Sequence, residues 1–413
     1  MLLEKKANHL KIGIFLLLFF SLGINPSLLA EEGVSASVIR IGGVLDLNGR
    51  SKGLGISMKA GIEAAFEKAL VKKNRRVKYI TLNDSYNPEK TIKATHELIK
   101  KKVFIFAGNV GTPTAKVSLP ILEKHNIPAV GFFTGASLLR PGKGPIINYR
   151  ASYTQETANV IKTALKHGLK ANQVCAYVQN DAYGMAGIAG IIKALDGVQN
   201  SKKVINALQK IKALTGDNPM RNNIGPVGVY KRNSDFARPG YKSLKAWEKS
   251  QNTPCKLVIT VGSYKAITEF IAYSRYKKEP WIFSAVSFTG AEHFKNALQE
   301  FKVNNGVIMT QVVPLLDSKI PLVEEAKKKL GKDFGYVSLE GFIVGKIILY
   351  GLNKIEGEIT REKFMKAILN SSFSIGQLTL DFTNDNQGSD RVELMVLVEG
   401  EWQKGIAKNI WGI

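Results

Sequence analysis

The residues best suited to chemistry in this chain of 413 residues are small, polar and set at the ends of apolar runs. Two short patterns recur in the same order. Val110-Gly111-Thr112 is echoed by Val261-Gly262-Ser263, and Phe133-Thr134-Gly135-Ala136 by Phe288-Thr289-Gly290-Ala291. The separations are similar: Gly111 to Thr134 is 23 positions, and Gly262 to Thr289 is 27. Ligands of open parallel sheets bind outside the carboxyl ends of the strands, which is where these loops belong if the apolar runs are strands. Thr112-Pro113 reads as a helix start, with Thr112 as N-cap and Pro113 at the first helical position. Free backbone N–H groups there favour a carboxylate. The Thr112 hydroxyl can serve the helix, the ligand, or each in turn.

Signals for covalent, metal or phosphate chemistry are missing. The sequence has no G-x-x-x-x-G-K-S/T, H-E-x-x-H or G-x-S-x-G. His96, His125, His167 and His293 lie far apart, and none makes a metal-spaced pair. Gly184, Gly187 and Gly190 follow a strand without the dinucleotide spacing, and close helix–sheet packing explains them as well. The expectation is a protein with no catalytic residues, no metal and no cofactor.

The elements that must position these loops alternate. Strands are expected at Val38–Leu47, Val77–Leu82, Val103–Ala107 and Pro128–Phe133, with helices at Ser57–Lys73, Pro88–Lys101 and Pro113–Lys124. The grammar restarts with a helix at Glu156–His167, strands at Gln173–Val178, Val227–Lys231, Cys255–Val261 and Trp281–Ala285, and helices at Met185–Leu195, Tyr241–Gln251 and Ile267–Tyr276. This is α/β: two doubly wound parallel-sheet lobes, each sheet covered on both faces. Leu214–Gly225 breaks the pattern and reads as an exposed loop.

Bulk properties agree. Apolar residues make up 45% and charged residues 22%, which is globular, and the length suits two domains. Lys5, Lys6 and Lys11 precede the apolar run Ile12–Ile24, Pro26 breaks it, and Ala30 ends a cleavable export signal over 1–30. Removing that segment's three lysines and one glutamate takes the net charge from +24 to +22. The lysines are spread over amphipathic segments without interleaved aromatics, so no nucleic-acid partner is expected and a solvated cationic surface is. Cys175 and Cys255 are the only cysteines. Two buried free thiols are the preferred reading, with one disulfide on neighbouring strands as the alternative.

With these residues in view, the chain resembles the branched-chain amino-acid (Leu/Ile/Val) binding proteins of ABC transporters, which have the type I periplasmic binding fold. The resembling segments are IRIGGVLDLNG (39–49), DSYNPEKT (84–91), AGNVGTPTA (107–115), FFTGASLLR (132–140), INYRASYTQET (147–157), VQNDAYG (178–184), GVIMTQVVP (306–314) and LTLDFTNDNQGSDRVELMVL (378–397). The resemblance implies a three-strand hinge near Tyr149–Ala151, Met309–Val312 and Ser374–Gln377. Lobe one would be 31–150 with 313–374, and lobe two 151–312 with 375–413. It implies a monomeric periplasmic receptor that delivers a small ligand to an inner-membrane permease. The alternative of the same fold is a sensing or interaction protein that regulates an envelope enzyme or sensor kinase, with a filled cleft.

The implied ligand contacts are Thr112 with Gly111 for a carboxylate, Phe133, Thr134 and Gly135 in the next loop, Leu54 where relatives place an aromatic residue, and Tyr183 and Tyr264 from lobe two. Ser287 marks a departure. Relatives that bind α-amino acids carry an acid in this loop, whereas Ser284-Ala285-Val286-Ser287-Phe288 has none. Unless Asp46 or Asp181 compensates, the ligand is a carboxylate, amide or aromatic acid rather than an α-amino acid.

Overall fold

The computed structural model describes residues 31–141, 144–405 and 410; the expected export segment 1–30 lies outside them. The first sheet is made by β1 (Val38–Leu45), β2 (Leu70–Val71), β3 (Arg75–Asn83), β4 (Ile105–Ala107), β5 (Ala129–Val130) and β6 (Ile146–Ile147). Its order is β2-β3-β1-β4-β5-β6, parallel throughout except that β2 runs antiparallel to β3. Ile39, Ile41, Val44 and Leu45 of β1 are all buried, as a strand covered on both faces requires.

The second sheet holds β7 (Val174–Gln179), β8 (Val227–Tyr230), β9 (Leu257–Val261), β10 (Ile282–Ala285) and β11 (Val307–Gln311), which are parallel. Two further strands, β12 (Ser372–Ile375) and β13 (Leu378–Asp381), pair only with each other, and β14 (Glu393–Val398) and β15 (Glu401–Lys404) close the second sheet antiparallel beside β11. The order is β15-β14-β11-β10-β9-β7-β8. Among the described residues no helix is long and apolar enough to cross a membrane.

The late helix Tyr336–Lys354 returns to the first sheet and lies against the early helix Lys52–Phe66. Glycines permit that approach: an added Cβ at Gly61 would sit 2.0 Å from the Ser338 carbonyl oxygen, and one at Gly341 2.3 Å from that of Met58.

Several expectations shift. The first helix spans Lys52–Phe66 rather than Ser57–Lys73. The chain turns at Lys68 and again at Lys73-Asn74, all with positive φ, and the second turn joins the β2–β3 hairpin. Ser374–Gln377, expected to cross between sheets, turns the β12–β13 hairpin; the chain reaches the second sheet only at β14. Phe373 of that hairpin stacks on Tyr350 with centroids 3.9 Å apart, holding it against the Tyr336–Lys354 helix. An additional helix, Lys202–Ala213, precedes the Leu214–Gly225 segment. That segment is anchored by buried Arg221, which donates to Asn180 Oδ1 at 2.8 Å and to the carbonyls of Ile211 and Gly216.

The preferred reading of two free thiols is corrected. Cys175 of β7 is bonded to Cys255, which lies just before β9, with Cα atoms 5.8 Å apart. β7 and β9 pair in parallel, which brings the two side chains within bridging range. Residue type foretold burial, but only the strand pairing supplies the bond.

Candidate functional site

The repeated loops meet in space as they do in sequence. Thr112 Oγ1 lies 2.7 Å from Thr134 Oγ1, linking the two loops at the ends of the first sheet. In the second sheet Thr289 Oγ1 donates to the Gly262 carbonyl at 3.1 Å, linking the corresponding pair. The two phenylalanines of the repeat also meet: Phe133 and Phe288 stack with centroids 5.1 Å apart. The echo in sequence thus reflects two similar loop pairs that face one another.

Thr112 is the first residue of the helix Thr112–Lys124, and Gly111, with φ of 101°, is its N-cap. The expected capping role of Thr112 is therefore corrected: its hydroxyl makes no cap bond and is committed to Thr134. Gly111 carries the strained conformation, and an added Cβ there would lie 2.2 Å from the Tyr86 ring. Gly135 accepts a hydrogen bond from the Tyr153 N–H at 2.8 Å, so this loop reaches the first helix of the second half.

Tyr183 lies in the middle of this arrangement. Its ring is 4.8 Å from Tyr153 and 4.9 Å from Phe288, and its hydroxyl donates to the Gly262 carbonyl at 3.4 Å. Burial pushes that hydroxyl well above its ordinary pKa, so it stays protonated. Tyr264 is placed apart. It lines a cavity of about 440 Å³ with Arg50, Asp235 and His293, and its ring is 5.5 Å from His293. Leu54 is fully buried and faces Gly290 of the opposite loop. The inner cluster and the Tyr264 cavity are therefore two places.

Further contacts join the two halves of the molecule. Arg50 pairs with Asp235, Ser57 Oγ lies 3.2 Å from His293 Nε2, and Gln179 Nε2 donates to the Tyr86 hydroxyl at 3.1 Å.

Ser287 brings in residues that the sequence reading missed. Its hydroxyl is bonded to Arg150 Nη2, and its N–H donates to Glu156 Oε2 at 2.7 Å. Arg150 is buried on the crossing between the sheets, 3.5 Å from Glu156 and 3.5 Å from Glu340, and its guanidinium lies 4.9 Å from the Phe133 centroid. Burial opposes its charge, but the carboxylates of Glu340 and Glu156 more than restore it. Glu340 is pushed up to about 7 by burial, with Arg150 working against that rise. Charged residues within apolar stretches were the available signal: Glu156 falls on the buried face of the helix Tyr153–Lys166, and Glu340 within Val337–Leu352.

The acids named as compensating partners for an ammonium are engaged elsewhere. Asp46 accepts from the N–H groups of Gly49 at 2.6 Å and Ser51 at 3.0 Å. Asp181 caps the helix Ala182–Leu195 through Tyr183 N–H at 2.9 Å and accepts from Gln179 at 2.8 Å. Among the described residues no group of three or more His, Cys, Asp or Glu is arranged to hold a metal ion. The arrangement suits binding rather than bond-breaking: paired hydroxyls, a helix N-terminus and an aromatic cluster between two sheets.

Known proteins resemble this architecture. The family described as periplasmic binding protein matches residues 38–207. A possible leucine/isoleucine/valine-binding protein from Rhodopirellula baltica is 33% identical, with a TM-score of 0.77 over 91% of this chain and 98% of its own. A leucine binding protein from Thermotoga maritima is 17% identical, with a TM-score of 0.70 over 89% of this chain and 97% of its own. A solute binding protein of an R. palustris ABC transporter, solved with 4-hydroxybenzoate, is 16% identical, with a TM-score of 0.69 over 91% and 99%. No curated protein matches the sequence.

Proposed function

Since the chain belongs to the leucine/isoleucine/valine-binding family of ABC-transporter solute-binding proteins, which are not enzymes, we propose that it captures a small carboxylate lacking an ammonium group and delivers it to an inner-membrane permease. The observation that carries this reading is the polarity of the site. The Thr112–Thr134 hydroxyl pair stands at a helix N-terminus suited to an anion. On the other side, the 284–288 loop offers Ser287 joined to Arg150 where an ammonium would need an acid, and the nearby acids Glu156 and Glu340 are already paired with Arg150. Burying an unpaired ammonium there is costly. Binding is accompanied by hinge closure of two lobes built on the two sheets, a domain motion in which periplasmic binding proteins close around their ligands. We place the lobes at 31–150 with 313 onward, and 151–312 with the C-terminal strands, the last boundary falling after the β12–β13 hairpin. The protein acts as a monomer in the periplasm, exported by 1–30 with cleavage near Ala30.

A thermal-shift screen of amino acids, carboxylates and amides tests the reading, because a ligand that binds only the folded state raises its melting temperature. A shift from carboxylates supports it; a panel without any shift counts against it. One observation favours the second reading, an interaction protein regulating an envelope enzyme or sensor kinase: Phe288 fills the centre of the cluster with a side chain of the protein's own. On that reading no small molecule raises the melting temperature.

A further inference from the structure

Phe288 stands on the short turn Ser287–Thr289, yet its ring is 1% exposed. It touches rings from both halves of the molecule: Tyr86 at 6.2 Å and Phe133 at 5.1 Å from loops of the first sheet, and Tyr153 at 6.4 Å and Tyr183 at 4.9 Å from helices of the second. A flat apolar ring is thus held where the two repeated loop pairs converge. Beside it Arg150, whose guanidinium lies 4.9 Å from the Phe133 centroid and 5.7 Å from the Tyr153 centroid, keeps a group without a partner among the described residues: its Nε is buried and makes no hydrogen bond there. Native interiors rarely leave such groups unsatisfied, and a recurring reason is that another molecule completes them. A ring for the cage and an anionic end for the hydroxyls and the guanidinium describe one compound.

We propose that Phe288 is an internal occupant of the ligand site, and that the ligand is a carboxylate bearing a planar six-membered ring which takes its place among Tyr86, Phe133, Tyr153 and Tyr183. The inference rests on the carboxylate reading above and names the body of that ligand. The turn is held on both sides of Phe288, by the Ser287 N–H on Glu156 at 2.7 Å and by the Thr289 side chain, whose Oγ1 donates to the Gly262 carbonyl at 3.1 Å. The exchange therefore occurs by rotation of the Phe288 side chain about its own bonds, with the turn in place. Phe288 and the ligand compete for one cage, so removing the ring strengthens binding, whereas removing a wall of the cage weakens it.

The test is calorimetric titration of wild type, Phe288→Ala and Phe133→Ala with benzoate, hexanoate and L-leucine, each variant first checked by circular dichroism. The expected result is opposite signs. Phe288→Ala binds benzoate about ten- to a hundredfold more tightly, the worth of one buried phenylalanine ring withdrawn from competition. Phe133→Ala binds it about tenfold more weakly or worse. Hexanoate, which has the same anionic end but no ring, gains less from Phe288→Ala. If Phe288→Ala does not fold, Phe288→Leu carries the sign, with a smaller gain. Loss of affinity in both alanine variants makes Phe288 a wall of the site and overturns the proposal, as does failure of benzoate to bind either wild type or Phe288→Ala. If wild type binds hexanoate and Phe288→Ala leaves both carboxylates unchanged, the carboxylate reading stands and this inference falls. If L-leucine binds wild type more tightly than both carboxylates, the carboxylate reading itself falls.

Discussion

Thr112→Val probes the anion end of the site with little change of shape. Thr112 Oγ1 and Thr134 Oγ1 are 2.7 Å apart and both residues are at most 1% exposed. Valine keeps the branched outline and leaves the Thr134 hydroxyl without that partner. An orphaned buried hydroxyl costs about 1–3 kcal/mol of folding stability. No cap is lost, because Gly111 and not Thr112 caps the helix. Replacing both partners by apolar groups of the same shape is close to neutral, so Thr112→Val/Thr134→Val should recover most of the loss. The double-mutant cycle then shows a coupling of about 1–3 kcal/mol, within the range for groups in one network. For a carboxylate ligand, a lost hydrogen bond to charge costs about 1.5–3 kcal/mol, a ten- to hundredfold weaker Kd. Urea denaturation gives the stabilities, and calorimetric titration with the best carboxylate gives the affinities. Additive stability losses would refute the hydroxyl pairing, and an unchanged Kd in Thr112→Val would remove Thr112 from the site.

Two further outcomes follow from buried features away from the hydroxyl pair. The Cys175–Cys255 bond spans 80 positions of sequence, and reducing it should lower stability by about 2–5 kcal/mol, read as a drop in melting temperature that alkylation makes permanent. Glu340, raised to about 7 in the fold, binds its proton more tightly when folded than when unfolded. Its contribution is therefore favourable below the ordinary carboxyl range and declines as pH rises from about 4.5 to about 7, losing about 1.4 kcal/mol for every pH step of one across that window. Melting temperatures of wild type against Glu340→Gln over the same range test this: the variant should decline less steeply, and parallel curves would contradict the assignment.

The sequence exposed the features that recur and concealed those that depend on long-range meeting. Alternation of apolar runs with amphipathic helices placed β1, β7, β8, β9 and β10, because a strand buried on both faces needs an unbroken apolar run. The doubled V-G-S/T and F-T-G-A patterns identified Thr112, Thr134 and Phe133, and the structure joins these loops by hydrogen bonds in both halves. The Lys202–Ala213 helix was missed because its lysine-rich outer face dilutes the apolar stripe of Val204, Leu208 and Ile211. The Arg150–Glu156–Glu340 cluster was hidden because its members come from a crossing and from two helices far apart in sequence. Tyr264 was grouped with Tyr183 by the family resemblance, yet the helix it opens sets it at the outer cavity beside His293. Loop position along the chain thus fixed the neighbourhood of each side chain but not its direction.

The most direct test of the central claim compares two ligands that differ only in the ammonium group. L-Leucine and 4-methylpentanoate share the side chain and the carboxylate. Titrated calorimetrically into the protein, 4-methylpentanoate should bind at least about a hundredfold more tightly, because the 284–288 loop supplies no acid, Asp46 and Asp181 are held by their own loops, and Glu156 and Glu340 are paired with Arg150. Tighter binding of L-leucine would contradict the account and show that a carboxylate of this chain reaches the ammonium after all.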